Sequence, residues 1–166
     1  MKIKRCILAI TALFAASNVF AHSEAIQPDF VEKLMKQYFE VQQALAADDF
    51  EKTNAAAAQY TKILNLQSAL SMKPSIIKIK RATSKLKKAD GLDSARSEFQ
   101  KLSTEMQSLV EDVGIKRNTL LYIARCPMAF DNEGGSWIQA DRVISNPYMG
   151  QSMLRCGNIE EPVTRK

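Results

Sequence analysis

The sequence predicts a mainly α-helical protein: a four-helix up-and-down bundle followed by a small C-terminal hairpin and an irregular unit that contains Cys and Met. Apolar residues recur at three- and four-residue steps through residues 28–114, which is the period of amphipathic helices. Short polar or glycine-containing links divide this stretch into four parts, as expected for neighbouring helices of a bundle. After residue 114 the pattern changes to short strand-like runs between strong turn signals.

The first two predicted helices meet at a pair of acidic residues. The first begins at Pro28, and Asp29 is placed to cap it. Asp48 and Asp49 are expected to end the first helix and cap the second, because carboxylates accept hydrogen bonds from free N–H groups and suit the positive end of the helix dipole. The second helix is expected from residue 50 through residue 66.

The third and fourth predicted helices are separated by a glycine. Pro74 is expected to open the third helix, since proline fits the first turn, and Gly91 is expected to end it. Asp93 is placed to cap the fourth helix, and Gly114 is placed to stop it.

Beyond the bundle, residues 119–124 are expected to form a strand that leads into a Cys-Pro-Met sequence. Residues 131–135 form a strong turn signal, and residues 136–138 are expected to return as a second strand. A further turn is expected at residues 146–148, followed by one helical turn at residues 149–154.

The first 21 residues have the layout of a secretory signal. Lys2, Lys4 and Arg5 precede an apolar run, and the segment closes on a small residue, Ala21. This layout is typical of a cleaved signal and too short for a membrane anchor. No other segment approaches the roughly 18 apolar residues that a spanning helix needs. We therefore expect export to the periplasm and no membrane span after cleavage.

The expected organisation is a single domain with short ends. It comprises a signal peptide at 1–21, a flexible N-terminus at 22–27, a helical-bundle domain at 28–160 that includes the Cys-Met segment 119–158, and a frayed tail at 161–166.

Net charge gives little information about partners. Removal of the signal would leave 20 basic and 18 acidic residues. One basic tract remains at residues 73–88, and it is either a docking face for an anionic surface or a solvated helix face. The tract has no aromatic residues to stack on bases, so nucleic-acid binding is not expected.

Sulfur-bearing residues cluster near the C-terminus. Cys126 and Met128 are two residues apart, and Met149 and Met153 would share a face of a helical turn with Cys156 close behind. Thiolates and thioethers are soft donors that favour Cu(I) over hard cations. These five residues are the candidate metal ligands, and Cu(I) is the candidate metal.

The two cysteines also support a second interpretation. Exported compartments permit disulfides, and Cys126 and Cys156 would be the two cysteines left after signal cleavage. A disulfide between them would contribute roughly 3–4 kcal/mol, with the methionines as core filler. The protein would then be a disulfide-stapled interaction module of the cell envelope that binds no metal.

Two blocks of residues form a recognisable pattern. They are Tyr38-Phe39 with Ala44-Leu45-Ala46-Ala47-Asp48-Asp49, and Cys126-Pro127-Met128-Ala129 with Trp137, Asn146-Pro147-Tyr148, Gly150, Met153-Leu154 and Cys156-Gly157. The pattern resembles a periplasmic family of unassigned function that occurs alone or at the C-terminus of CusB-type heavy-metal efflux adaptor proteins. The resemblance implies a metal-handling role linked to copper and silver export, with an envelope efflux component as partner.

The resemblance also implies which residues are ligands. Cys126, Met128, Met153 and Cys156 match the family pattern, whereas Met149 stands where the family more often has an aromatic residue. Arg125 stands where the family often has His or Tyr.

The sequence contains few of the residues that catalysis would need. The single histidine, His22, would begin the mature chain, so no Ser-His-Asp or Cys-His arrangement can be assembled. Gly134 and Gly135 belong to a turn and not to a phosphate-binding loop. We therefore expect a protein that is not an enzyme.

Overall fold

Four long helices make up most of the described chain. The computed structural model describes residues 25–67, 70, 73–115 and 120–163, and the predicted signal segment, His22 and the end of the predicted tail lie outside these residues. The helices are α1 (Pro28–Ala46), α2 (Phe50–Leu66), α3 (Pro74–Leu86) and α4 (Leu92–Val113). The mainly helical class predicted from the sequence is confirmed.

The four helices form a closed ring in which α1 and α3 each contact both α2 and α4. At one end of the ring Ile26, just before α1, and Val113, in the last turn of α4, line the same groove. At the other end Asp48, just after α1, pairs with Arg96 near the start of α4. These contacts make α1 and α4 antiparallel, and the link of residues 47–49 reverses the chain from α1 into α2.

Only one of the three predicted acidic caps is a cap. Asp49 precedes α2, and its Oδ1 accepts from the backbone N–H of Lys52 at 2.9 Å. This hydrogen bond lowers the pKa of the Asp49 carboxyl below its ordinary value. Asp29 and Asp93 instead lie inside the first turns of α1 and α4, where a carboxylate still suits the helix dipole.

A three-stranded antiparallel sheet follows the helices. Its strands are β1 (Tyr122–Cys126), β2 (Gly135–Gln139) and β3 (Asn158–Pro162), in the order β2-β1-β3. The predicted hairpin corresponds to β1 and β2, with β1 running on to Cys126. β3 was not predicted, and it takes in two residues, 161 and 162, that were assigned to the tail.

Two short helical segments connect the strands. The segment α5 (Ala129–Asn132) is a single turn between β1 and β2 and not a regular right-handed α-helix, because Phe130, Asp131 and Asn132 have positive φ. A 3₁₀ turn at Gly150–Met153 lies between β2 and β3, where the sequence predicted one helical turn.

The sheet is part of the bundle core. Trp137 on β2 is fully buried, and its ring meets that of Tyr148 edge-on at 5.7 Å. Tyr148 in turn packs at 6.1 Å from Phe99 of α4. The backbone N–H of Ile138 donates to the hydroxyl of Tyr38 on α1 at 3.0 Å. One continuous core therefore extends from α1 and α4 into the sheet.

None of the helices in the described residues is both long enough and apolar enough to span a bilayer.

Candidate functional site

The sheet brings the two cysteines together. Cys126 is the last residue of β1, and Cys156 lies two residues before β3. Because β1 and β3 are antiparallel, with Arg125 opposite Asn158, the end of one strand meets the start of the other. The two Sγ atoms are 2.9 Å apart. Cys126 is fully buried and Cys156 half-buried, and both are free thiols.

Gly157 allows this close approach. It has φ +124°, and a Cβ added there would lie 2.7 Å from the carbonyl oxygen of Arg125 and 3.2 Å from the ring of Trp137. A side chain would therefore push the chain away from β1 and carry Cys156 with it.

Asn146 holds both ends of the loop of residues 146–156. It is fully buried, and its Oδ1 accepts from the backbone N–H groups of Tyr148 at 2.8 Å and Met149 at 3.1 Å. Its Nδ2 donates to the carbonyl oxygen of Cys156 at 2.8 Å. The sequence predicted only a turn here, although an Asn before a Pro often forms such a side-chain-to-backbone turn.

The environment of Cys156 favours the neutral thiol. Its hydrogen bond with Cys126 and its partial burial raise the pKa of the Cys156 thiol, and a backbone hydrogen bond from Met128 opposes them. Soft metals bind the thiolate, so a metal ion would have to displace a proton from this site.

The three candidate methionines occupy different positions around the thiols. Met128 is 48 % exposed, and its backbone is the group that lowers the pKa of the Cys156 thiol. Met153 is half-buried, and its carbonyl accepts from the N–H of Cys156 at 2.9 Å. Met149 packs against the hydrophobic core. Within the described residues no group of three or more His, Cys, Asp or Glu is arranged to hold a metal ion, so a site here depends on methionine sulfur.

A second set of contacts fixes the same loop to the helices. Asp48 has φ 58°, and its carboxylate pairs with Arg96 and accepts from the backbone N–H of Gln151 at 2.9 Å. Arg96 also donates to the carbonyl oxygen of Pro147 at 3.2 Å. Gly150 has φ +59°, and a Cβ there would collide with the Asp48 carboxylate. We call Asp48, Arg96, Gly150 and Gln151 the corner clamp.

The corner clamp was not predicted. The sequence assigned Asp48 to the end of α1, with Asp49 as its companion in capping α2. The structure separates the two: Asp49 caps α2, while Asp48 binds the loop between β2 and β3. Because one helix needs only one cap, one of two adjacent acidic residues is free for another role. That was the only sign of the corner clamp in the sequence.

One family matches the helical part of the chain. It is described as "Protein of unknown function (DUF3347)", and the match covers residues 34–118, just over half of the sequence. The chain belongs to this family. No curated protein and no solved structure gives a significant match to the chain.

The DUF3347 match includes only one of the two blocks on which the sequence resemblance rests. Tyr38-Phe39 and residues 44–49 lie inside it, whereas the block of residues 126–157 lies outside. The corner clamp joins the two parts, because Asp48 and Arg96 lie within the match and their partners Pro147 and Gln151 lie beyond it.

Proposed function

We propose that this DUF3347 protein binds a soft metal ion, Cu(I), in the periplasm, and serves as a carrier, buffer or accessory to metal efflux. The contact between the thiols of Cys126 and Cys156, with Met128 on the adjoining turn, is the observation that supports this proposal. Thiolate and thioether sulfur are the donors that select Cu(I).

A small movement would open the thiol contact into a metal site. If each metal–sulfur bond is about 2.3 Å, two thiolates on one ion lie roughly 3.8–4.6 Å apart, and here the sulfurs are 2.9 Å apart. Cys126 is fixed in the core, while Cys156 is half-buried and can rotate. Met128, with half of its side chain exposed, can then turn its sulfur towards the ion.

Met149 and Met153 take lesser parts in this proposal. Met153 lies next to Cys156 through its backbone and is half-buried, so its thioether is the candidate for a fourth donor. Met149 packs on the core, and its part is to support the loop while the other sulfurs bind.

A disulfide-stapled interaction module of the cell envelope is the second candidate function. The same thiol contact favours it, because oxidation would join two sulfurs that already touch. The corner clamp and Asn146 anchor the loop that contains Cys156, so the bond would complete a rigid unit. In this form the protein would bind no metal and would dock on an envelope assembly.

Titration with Cu(I) against a competing chelator tests the metal proposal. We expect the reduced protein to bind one Cu(I) per chain and the disulfide form to bind none. Replacing both Cys126 and Cys156 with Ser should abolish binding, and Met128→Leu should weaken it about tenfold or more. Met35→Leu is the matched control, because Met35 is buried in α1. Equal affinity in the double Ser variant and the parent would overturn the proposal.

Mass spectrometry of the natively exported protein distinguishes the two functions. Cysteines that are free or metal-loaded as isolated support the metal-binding protein. A quantitative Cys126–Cys156 disulfide that resists mild reductant supports the interaction module and contradicts metal binding in the native compartment.

A further inference from the structure

The outer face of α3 presents a row of basic side chains. Residues 73–88 contain seven Lys or Arg and no Asp or Glu. Lys78, Arg81, Lys85 and Lys88 follow one another at three- and four-residue steps, and all four are exposed. This spacing places Lys78, Arg81 and Lys85 along one side of α3, and Lys88 lies two residues beyond the end of the helix at Leu86. We call these four residues the basic face.

Positive charge is concentrated in residues 73–88 and not spread over the molecule. The remainder of residues 25–166 contains 13 basic and 17 acidic residues, so the body of the protein is net negative. A basic patch on a negative body orients the molecule towards an anionic surface and directs that one face to it.

Most of the basic face is free of ion pairs. Lys78 lies 3.4 Å from Glu105 of α4, and Glu98 is held by Lys101 at 2.7 Å. Within the described residues, Arg81, Lys85 and Lys88 have no acidic partner at ion-pair distance. Glu98 and Glu105 line the same groove as Lys78, Arg81 and Lys85 and offset part of this charge, so the positive charge in excess of these two carboxylates is available to an external anion.

One apolar residue lies in line with the basic face. Ile77 is 46 % exposed although it belongs to a helix whose other isoleucines, Ile76 and Ile79, are fully buried. It precedes Arg81 by one helical turn and so lies on the same side of α3. An exposed apolar side chain beside unpaired lysines suits the boundary between headgroups and acyl chains of a bilayer.

We propose that the basic face and Ile77 dock this protein on the surface of an anionic phospholipid bilayer. The composition favours lipid over a protein partner, because protein interfaces are depleted in Lys and enriched in Arg and aromatic residues, while six of the seven basic residues at 73–88 are Lys. Lysine is a compact hydrated charge on a flexible stem, which fits a diffuse layer of headgroups. The proposal is independent of metal binding.

Co-sedimentation with lipid vesicles tests this docking. The protein is isolated after export from its host, so that any N-terminal processing has taken place. We expect it to bind vesicles of equal parts phosphatidylglycerol and phosphatidylcholine at about 50 mM salt, to bind pure phosphatidylcholine vesicles at least tenfold more weakly, and to be released at about 500 mM salt.

Two triple variants with the same net charge distinguish an effect of the basic face on vesicle binding from an effect of net charge alone. Replacing Arg81, Lys85 and Lys88 with Gln should weaken binding at least tenfold. The control replaces Lys33, Lys36 and Lys52, which are exposed on α1 and α2, and should change binding less than twofold.

Three results would overturn the proposal. They are no binding of the unaltered protein to the anionic vesicles, equal losses in the two triple variants, and binding that does not respond to salt. Absence of vesicle binding together with specific retention of an acidic envelope protein by the basic face would assign the face to a protein partner. Circular dichroism checks that each variant is folded, and the salt response of the unaltered protein tests the docking without any substitution.

Discussion

The half-buried thiol of Cys156 is hydrogen-bonded to the buried sulfur of Cys126, and this contact is the largest cause of its raised pKa. A raised pKa means that the folded state prefers the protonated thiol. The resulting stability is fully present below the ordinary thiol pKa and is lost as the pH rises through the folded-state value. Metal binding and disulfide formation both consume the thiolate, so both should become more favourable over the same rise in pH.

Removal of the Cys126 thiol should make Cys156 more acidic. In Cys126→Ala the sulfur–sulfur hydrogen bond is absent, so we expect the pKa of the Cys156 thiol to fall towards its ordinary value. The measurement is the rate of alkylation of Cys156 in the reduced protein from pH 7 to pH 10, with the urea-unfolded chain as the reference. Identical pH profiles for the variant and the parent would show that the contact between the sulfurs does not set the pKa.

The sequence predicted the contacts of some single residues better than those of others. The expectation of export and signal cleavage leaves Cys126 and Cys156 as possible partners, and the structure places their sulfurs 2.9 Å apart. Asn146 and Asp48 were assigned to turns and helix ends. Asn146 binds backbone groups within ten residues of it, whereas Asp48 binds the side chain of Arg96 and the backbone N–H of Gln151, which is 103 residues away. No local pattern specifies the contacts of Asp48.

At the scale of elements, the corner clamp joins the link between α1 and α2 to the loop that ends at Cys156. Arg96 is its centre: the side chain is 13 % exposed and donates to Asp48 and to the carbonyl oxygen of Pro147. The adjacent pair of Asp49 and Lys52 is much more open to solvent, since the Lys52 side chain is 80 % exposed. Two ion pairs one residue apart should therefore differ greatly in their effect on stability.

Arg96→Gln should destabilise the protein and loosen the loop of Cys156. The substitution leaves Asp48 and the backbone carbonyls of Leu45 and Pro147 without their donor, and we expect a loss of about 2–3 kcal/mol in the free energy of unfolding. Lys52→Gln, the matched control, should leave that free energy nearly unchanged, because exposed ion pairs contribute little. Urea unfolding measures both. A loss in Arg96→Gln no larger than in the control would show that the clamp is not structural.

Elements in which apolar residues recur at a regular spacing could be predicted from the sequence. Elements that depend on pairing with another strand could not. All four long helices follow from apolar spacing, and Pro74 and Gly114 mark ends that the structure retains. β3 has no alternation of apolar and polar residues, and it contains two Glu and a Pro. It is a strand because it pairs with β1, and that pairing requires the loop of residues 146–156 to return the chain to the sheet.

At the scale of the whole molecule, the family match and the folded core do not have the same limits. The DUF3347 match ends at residue 118, yet Trp137 and Tyr148 are buried in the same core as Phe99 and Tyr38. The sequence predicted one helical-bundle domain that includes the C-terminal Cys-Met segment, but it did not indicate which helices that segment covers. The rings of Trp137 and Tyr148 complete the bundle core. The apolar spacing of a helix shows that one of its faces is buried, but it does not show which residues cover that face.

A fragment that ends at residue 118 should therefore fail to fold as a bundle. It lacks Trp137 and Tyr148, so Phe99 and Tyr38 would be exposed to water; the lost burial and hydrogen bonds are comparable to the roughly 5–15 kcal/mol that stabilise a typical domain. We expect helical far-ultraviolet circular dichroism with strong binding of an apolar dye and no cooperative unfolding in urea. A chain that ends at residue 163 is the control and should unfold cooperatively. If the shorter fragment unfolds with the same midpoint as the control, the C-terminal unit is an appendage, and the helices alone form the folded domain of this family.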